Sequence, residues 1–178
     1  MAESWTTRLT RWGFNLHPTY WSTGGRITYI AHDWTEVRVQ VPLSWRTRNY
    51  VGTIFGGAMY AAVDPIYMIM LIKLLGPAYT VWDRAAAIRF RRPGRSALMA
   101  RFTIELATVT ALREELSRVP KIERLFTVEL VSADGTVHAV VDKTLHISRL
   151  EPSASTSLTS STGRAFHGPH PARRPQAP

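Results

Sequence analysis

Residues 51–75 read VGTIFGGAMYAAVDPIYMIMLIKLL, the most apolar stretch of the chain, and Asp64 and Lys73 carry its only charges. The stretch approaches the roughly 20 apolar residues that span a bilayer. A central Asp opposes membrane insertion by about 2.5–3.5 kcal/mol, and the glycines near its start weaken the first helical turn. A helix that is hydrophobic all round is also typical of a soluble protein in which a sheet covers the helix. We therefore predict one long, buried central helix, with a transmembrane span as the alternative.

Strand patterns lie on both sides of this helix. Runs of apolar and β-branched residues, several with clear alternation, predict strands over residues 26–30, 36–41, 85–90, 98–106, 123–131 and 137–147. The dipeptide Asp134-Gly135 favours a turn with positive φ at both central residues, so the last two strands are predicted to form a hairpin. Because strands and helices do not alternate, the predicted fold class is α+β, with an antiparallel β-sheet wrapped around one long central α-helix.

Two further segments have helical features. Residues 3–15 carry Trp5, Leu9 and Trp12 at helical spacing, which predicts a short amphipathic helix whose apolar face covers an edge of the core. Residues 110–119 are compatible with either a short helix or a turn-rich connection.

The chain length and composition predict one globular domain with a tail. The 178 residues are 45% hydrophobic, which excludes a fully disordered protein. Residues 151–178 are rich in Pro, Ser, Thr, His, Arg and Gly and have few large apolar residues, so we expect them to be disordered. We divide the chain into an N-terminal helical segment at 1–19, a main domain at 20–150 and a tail at 151–178.

The charge and the cysteine count limit the function. The net charge of +9 indicates an anionic partner, which is a nucleic acid, a membrane surface or a phosphorylated metabolite. The tail contributes little of this charge, since three arginines there stand against Glu151. The absence of cysteine excludes disulfides, a thiolate nucleophile and cysteine-based metal sites. No signal peptide is recognisable at the N-terminus, and a cytoplasmic location is predicted.

The start of the apolar stretch holds the residues that could carry chemistry. Gly56-Gly57 would let a backbone or ligand approach closely, and the free N–H groups of a helix start can stabilise an oxyanion. A tight strand-to-helix turn explains the same two glycines. Asp64 lies two turns further on, where a buried carboxylate needs partners, solvent or a catalytic role. Alternatively, Asp64 caps a new helical segment that starts at Pro65, and Pro65 disfavours helical backbone at Asp64.

Asn49, Gly56-Gly57 and Asp64, followed by the strand and turn IRFRRPGR, resemble the hotdog-fold thioesterases of the phenylacetyl-CoA thioesterase type. The sequence is most similar to an uncharacterised branch that reads Gly-Thr-Ile-Phe-Gly-Gly-Ala before Asp-Pro, and the resemblance covers residues 20–150. It implies a hotdog fold, a homodimer or tetramer, and acyl-CoA sites at the interface between protomers. It also implies that Asp64 acts as general base or nucleophile, that the Gly56-Gly57 turn polarises the carbonyl, chiefly through the Gly57 N–H, and that Asn49 supports the site.

Two positions depart from the pattern of these relatives. Phe55 stands where many of them have a His before the two glycines, and a Phe side chain neither donates a hydrogen bond nor transfers a proton. Asp83 lies near the place of a Ser or Thr that positions water in relatives. It is either a second carboxylate at the site or an exposed strand-end residue paired with Arg84.

A cluster of arginines follows the strand at 85–90. Arg89, Arg91, Arg92 and Arg95 fall within seven residues, and guanidinium groups near a turn can bind the phosphates of coenzyme A. The alternative is a solvated edge strand that charge protects against aggregation. Nucleic-acid binding is a third interpretation, but no recognised DNA- or RNA-binding motif accompanies the cluster.

The leading hypothesis is therefore a homodimeric acyl-CoA thioesterase, with coenzyme A as part of the substrate and no separate cofactor. The runner-up is a binding module of the same fold that holds an acyl-CoA or fatty acyl ligand without hydrolysis, motivated by Phe55 and the apolar helix. No serine-hydrolase, nucleotide-phosphate or dinucleotide motif occurs, and the six histidines show no ligand spacing, so no metal is predicted.

Overall fold

A computed structural model describes residues 3–150 of the chain. The predicted tail at 151–178 lies outside the described residues. The elements in chain order are α1 (Trp5–Leu16), α2 (Pro18–Ser22), β1 (Arg26–Ile30), β2 (Glu36–Val41), α3 (Gly56–Val63), α4 (Ile66–Leu75), β3 (Tyr79–Phe90), β4 (Leu98–Thr103), α5 (Leu106–Arg118), β5 (Lys121–Val131) and β6 (Val137–Arg149).

Six strands form one antiparallel sheet in the order β1-β2-β4-β5-β6-β3. Alternate residues of β2, β4 and β6 are buried, which is the period-two pattern of a sheet with one face on the core. The sheet ends at β1 on one side and at β3 on the other. The predicted antiparallel sheet around a helix is therefore confirmed.

The central helix consists of α3 and α4, which meet at Asp64-Pro65. Ala62, Met70 and Leu71 are fully buried, and the ring of Tyr67 packs edge-on against Phe102 with 4.9 Å between the ring centroids. By length and composition alone, Gly56–Leu75 is long and apolar enough to cross a membrane, a test that the core helix of a soluble protein also passes. Here the helix packs into the hydrophobic core beneath the sheet.

Two local predictions about backbone conformation are wrong. Asp64 has helical backbone angles (φ −50°, ψ −52°) although a Pro follows it. Its N–H completes the last turn of α3 by donating to the Tyr60 carbonyl, and packing of both helices under the sheet outweighs the local preference. At the Asp134-Gly135 turn only Gly135 has positive φ (82°). Asp134 instead accepts hydrogen bonds from the Ser132 hydroxyl and the Thr136 N–H within a longer loop.

Several element boundaries also differ from the predicted ones. β3 begins six residues before the predicted start at 85, and β4 ends at Thr103. Residues 106–118 form a full helix, α5, whose buried residues Val109, Leu112 and Leu116 lie on one face.

The α1 helix lies on β1 but presents the face opposite to the predicted one. Thr7 is buried and Phe14 packs against the core, whereas Trp5, Leu9 and Trp12 are exposed. Asn15 fixes this rotation: its side-chain amide donates to the Ile27 carbonyl and its Oδ1 accepts from the Ile27 N–H, both at 2.8 Å. The backbone of β1 therefore determines the orientation of α1.

Candidate active site

Asp64 lies at the junction of α3 and α4 with its side chain 39% exposed. Its Oδ1 accepts a hydrogen bond from the Lys143 ammonium at 2.5 Å and another from the Tyr60 hydroxyl at 2.6 Å. α4 has Pro65 at its N-cap position and no side-chain cap, so the proposed capping role of Asp64 is wrong. The carboxylate instead takes part in a polar cluster that faces the sheet.

Lys143 is the central residue of this cluster, and the sequence prediction missed it. Only 1% of its side chain is exposed, and its Nζ also contacts Asp83 Oδ1 at 2.9 Å. Asp83 is therefore paired with Lys143 and not with Arg84, which binds Glu123. A register shift in β3 between Asp83 and Ala85, typical of a bulge, accompanies this placement of Asp83.

A pattern in β6 could have identified Lys143. Its inward-facing positions alternate along the strand, and all five are almost fully buried: Ala139, Val141, Lys143, Leu145 and Ile147. A lysine at the buried parity of an otherwise apolar strand requires a carboxylate partner on the helix or on a neighbouring strand. The apolar run 51–75 contains one carboxylate, Asp64.

The charges of the cluster shift the pKa values of its donors. Burial lowers the pKa of Lys143, but the hydrogen bonds and negative charges of Asp64 and Asp83 outweigh burial and raise it above the usual value. Burial and the hydrogen bond to Asp64 raise the pKa of Tyr60. Lys143 is therefore a protonated cation near neutral pH, and it orients both carboxylates.

A cavity of about 850 Å³ opens beside Asp64. Residues of α1, α2 and the last turn of α3 form its walls. The side chains that line it include Phe14, Tyr20, Tyr60, Ala61, Asp64 and Pro65. The Tyr20 hydroxyl is engaged with the Ala62 carbonyl at 3.0 Å. Most of the lining surface is apolar, polar side chains such as His17 and Ser22 contribute the rest, and Asp64 supplies the carboxylate. Apolar walls with a carboxylate at one side suit a ligand that has an acyl chain and a polar group at its reacting end.

Gly56 and Asn49 line a different part of the surface from Asp64. Asn49, Gly56, Phe90, Arg91 and Arg92 border a depression of about 360 Å³. The Asn49 side chain holds its own loop, because its amide donates to the Thr53 hydroxyl at 2.9 Å and its Oδ1 accepts from the Thr53 N–H at 3.0 Å. Asn49 therefore stabilises its own loop at the edge of this depression.

The two glycines allow close approach of two aromatic rings. A Cβ on Gly56 would lie 2.6 Å from the Phe90 ring, and a Cβ on Gly57 would lie 2.3 Å from the Phe55 ring. Phe55 occupies the N-cap position of α3 and makes no side-chain cap. The start of α3 thus combines close ring packing with N–H groups that have no side-chain acceptor at the cap.

The four predicted phosphate-binding arginines separate into two groups. Arg89 binds Asp142 at 2.5 Å on the outer face of the sheet. Arg91 and Arg92 follow the end of β3 at Phe90, and both N–H groups donate to the His138 carbonyl. Arg92 and Arg95 line a depression of about 570 Å³ together with Ser132, Asp134 and His138. Three of the arginines therefore surround the turn after β3.

The geometry of one chain separates the predicted oxyanion donor from the carboxylate. Gly57 and Asp64 are seven residues apart in a helix, and a rise of 1.5 Å per residue places them about 10 Å apart along the axis. Asp64 lines the cavity of about 850 Å³, whereas Gly56, the neighbour of Gly57, borders the depression of about 360 Å³. A single thioester carbonyl cannot contact both groups of the same chain.

The fold matches solved structures over most of the chain. PA5026 of Pseudomonas aeruginosa, described as a protein of unknown function and probable thioesterase, is 18% identical with a TM-score of 0.72, and the match covers 81% of this chain and 96% of that one. HI1161, a thioesterase from Haemophilus influenzae, is 19% identical with a TM-score of 0.62, covering 85% and 96%. A thioesterase candidate from Shewanella oneidensis is 22% identical with a TM-score of 0.59, covering 81% and 96%. At these identities the likeness establishes the fold.

Sequence comparison assigns the family. Among curated proteins, no sequence significantly matches this chain. The model of the family DUF4442, a domain of unknown function, matches residues 6–147. This match runs through the predicted boundary at residue 19, and the division of the chain into segments stays a prediction. The chain has the hotdog fold and belongs to the DUF4442 family.

Proposed function

We propose that the protein is an acyl-CoA thioesterase that uses Asp64 as its catalytic carboxylate. The observation that carries this proposal is the cavity of about 850 Å³ with largely apolar walls and the Asp64 carboxylate at its side. Buried Lys143 and Tyr60 both bind Oδ1 of Asp64, so within residues 3–150 Oδ2 is left for a water or a thioester. In this arrangement Asp64 can act either as a general base or as a nucleophile.

The general-base route uses groups that the chain supplies. Oδ2 accepts a proton from a water as the water oxygen bonds to the thioester carbonyl carbon. The oxyanion that develops accepts a hydrogen bond from the Gly57 N–H at the start of α3. The carbon–sulfur bond then breaks, and the thiolate of coenzyme A leaves and takes up a proton. In the nucleophilic route Oδ2 attacks the carbonyl carbon itself, and the carbon–sulfur bond breaks to release the thiolate of coenzyme A, which takes up a proton. Water then hydrolyses the resulting anhydride and restores the Asp64 carboxylate.

A homodimer completes the site in this proposal. Since Gly57 and Asp64 of one chain are about 10 Å apart, the Gly57 N–H that faces Asp64 belongs to a second copy. β3 is the strand that supports this pairing: it is twelve residues long, lies at an edge of the sheet and exposes Trp82 and Phe90. Light scattering is expected to give twice the 20.1 kDa chain mass. A monomer would contradict the shared site, and a tetramer built from such dimers would agree with it.

Coenzyme A is the proposed leaving group because of the basic turn after β3. Arg91, Arg92 and Arg95 border the two depressions beside the start of α3, where phosphates can be bound by several guanidinium groups. Arg89 is engaged with Asp142, and we expect it to contribute less. The proposed location is the cytoplasm, where acyl-CoA thioesters occur.

The test is release of free thiol from a panel of acyl-CoA thioesters that runs from acetyl to long-chain and phenylacetyl groups. Hydrolysis of at least one member with multiple turnovers is the expected result. No thiol release from any member would contradict the enzyme function.

The second candidate function is ligand binding without hydrolysis. The observation that favours it is Phe55, whose side chain cannot transfer a proton at the start of α3. Thermal stabilisation by the same panel without thiol release would support this function. In that case the Phe55→His variant is expected to gain turnover, because it restores a donor next to Gly57.

A further inference from the structure

The outward face of α1 is apolar. Trp5, Leu9, Trp12 and Leu16 form one stripe, because their spacing of four, three and four residues places them within about 60° on a helix of 3.6 residues per turn. Trp5 is 71% exposed and Leu16 is 69% exposed. Thr7, on the opposite face, is 3% exposed. The helix is therefore inverted relative to an ordinary surface helix, which buries its apolar stripe.

Specific contacts fix the helix in this orientation. Asn15 makes two hydrogen bonds to the backbone of Ile27, and Phe14 packs against the core. A rotation that buried the stripe would break the contacts of Asn15 and Phe14 and would leave the backbone polar groups of Ile27 without a partner. The apolar stripe is therefore a stable feature of the surface.

More aromatic and basic side chains lie next to the end of α1. Asn15, Trp21, Arg26, Trp45 and Arg46 border one depression. The Arg46 guanidinium lies over the Trp21 ring, 4.2 Å from its centroid, and Trp45 is 85% exposed. Two of the six tryptophans of the chain thus lie in the stripe, and two more border the depression at the end of α1. Arg8 is exposed on the same side of the helix as the stripe.

The combination of tryptophan, leucine and arginine fits a lipid surface. Tryptophan is enriched at the boundary between lipid headgroups and acyl chains, and amphipathic helices with Trp and Leu on one face and Arg beside them lie in that boundary. A second copy of the chain fits less well. A two-fold contact would bring the same patch together with itself, so Arg8, Arg26 and Arg46 would face the same charges in the partner. An anionic membrane surface would neutralise them instead.

We propose that the stripe of α1 docks the protein on an anionic membrane surface. The helix lies parallel to the membrane, with Trp5, Leu9, Trp12 and Leu16 inserted at headgroup level and Arg8 and Arg46 on anionic headgroups. The net charge of +9 adds a long-range attraction to the same surface. Thr10 and Gly13 of α1 line the cavity beside Asp64, and Gly13 lies next to the stripe, so docking would bring that cavity close to the lipid. The docking does not depend on hydrolysis.

The test is flotation of the full chain with phosphatidylcholine vesicles prepared with and without phosphatidylglycerol. The wild type is expected to bind the anionic vesicles more tightly, and binding should weaken as salt is raised. The double variant Trp5→Ser, Trp12→Ser is expected to lose at least about tenfold in partitioning, because it removes two apolar anchors. The matched control is Leu125→Ser, which removes an equally exposed apolar side chain from β5 and should bind as the wild type does.

Three results would overturn the proposal. The first is absence of wild-type binding to anionic vesicles. The second is equal partitioning of the double variant and the wild type. The third is a double variant that no longer forms the wild-type oligomer in solution, which would assign the stripe to a second copy of the chain. Both mutated tryptophans are exposed, and an unchanged thermal melt would show that the variant is folded. The vesicle readout requires no turnover, so it is independent of the thioesterase proposal.

Discussion

Lys143 sets the properties of the candidate site at the scale of single residues. A lysine with 1% exposure is stable in a fold only when its charge is compensated, and here two carboxylates from different elements compensate it. It links α3, through Asp64, to the sheet strand β3, through Asp83. The same residue therefore supports the fold and orients the proposed catalytic carboxylate.

Replacing Lys143 by Met tests this double role. The two carboxylates would lose their common cation but remain partly exposed to water, so we expect the free energy of unfolding to fall by about 1–3 kcal/mol at neutral pH. Urea unfolding measures this loss. A change within about 0.5 kcal/mol would contradict the stabilising role of the pair.

The difference in the free energy of unfolding between wild type and Lys143→Met should change with pH in a defined direction. The pKa of Lys143 is raised in the folded state, so its contribution is complete below the ordinary lysine value of about 10.4 and is lost as pH rises through the higher folded value. The stability difference between wild type and Lys143→Met should therefore shrink above about pH 10.5. Tyr20 and Tyr67 lie outside the cluster and are common to both proteins. Because Tyr60 interacts with both Asp64 and Lys143, the comparison is made in the Tyr60→Phe background, where the difference isolates Lys143. A difference that grows with alkaline pH would contradict the raised pKa.

At the scale of elements, the orientation of α1 depends on a single polar side chain. Asn15 replaces the missing strand partner of Ile27, because its amide and carbonyl pair with the Ile27 carbonyl and N–H. The edge strand β1 and the helix are thus joined by two hydrogen bonds where most surface helices rely on apolar packing.

The variant Asn15→Ala is expected to lower the free energy of unfolding by about 2 kcal/mol, because it leaves two part-buried backbone groups without partners. The matched control is Thr10→Ala, which removes a hydroxyl bonded within α1 itself and should change stability little. Denaturant unfolding of the two variants provides the comparison. Equal effects of both substitutions would show that Asn15 does not anchor the helix.

The sequence predicted some elements better than others, for physical reasons. Strands β1 and β2 were predicted at their observed bounds because Val37, Val39 and Val41 alternate clearly against polar residues. The start of β3 was missed because this edge strand is exposed over most of its length and has no alternation to read. The orientation of α1 was predicted wrongly because periodicity locates an apolar stripe but not the surface that it faces.

At the candidate site, too, local sequence patterns identified some residues but not their contacts. Asp64 stood out in the sequence as the carboxylate within an apolar run. The alternation of β6 could have marked Lys143 as buried, but its pairing with Asp64, 79 residues away, became visible only in the fold. Asn49 and Gly57 were expected to act with Asp64, but in one chain Asn49 borders a different depression and Gly57 lies about 10 Å from Asp64 along the helix axis. Contacts between distant segments, and between copies, are not encoded in a local pattern.

At the scale of the whole molecule, two surfaces of the N-terminal helices have different proposed tasks. Residues of α1 and α2 line a cavity at Asp64, and the outer face of α1 carries the apolar stripe. The arginine-rich turn lies after β3, beside the start of α3. The positive charge of the chain is therefore divided between a proposed phosphate site and a proposed membrane surface.

Turnover by the Asp64→Asn variant is the measurement that tests the central claim most directly. Asparagine keeps the shape of the side chain but can neither accept the proton of water nor attack a thioester, so we predict a loss of about 100-fold or more in the rate of thiol release from the best acyl-CoA substrate. The matched control is Asp33→Asn, which removes a carboxylate from the turn between β1 and β2 and should retain the wild-type rate. If folded Asp64→Asn protein hydrolyses the thioester at the full rate, Asp64 is not the catalytic carboxylate and the account is wrong.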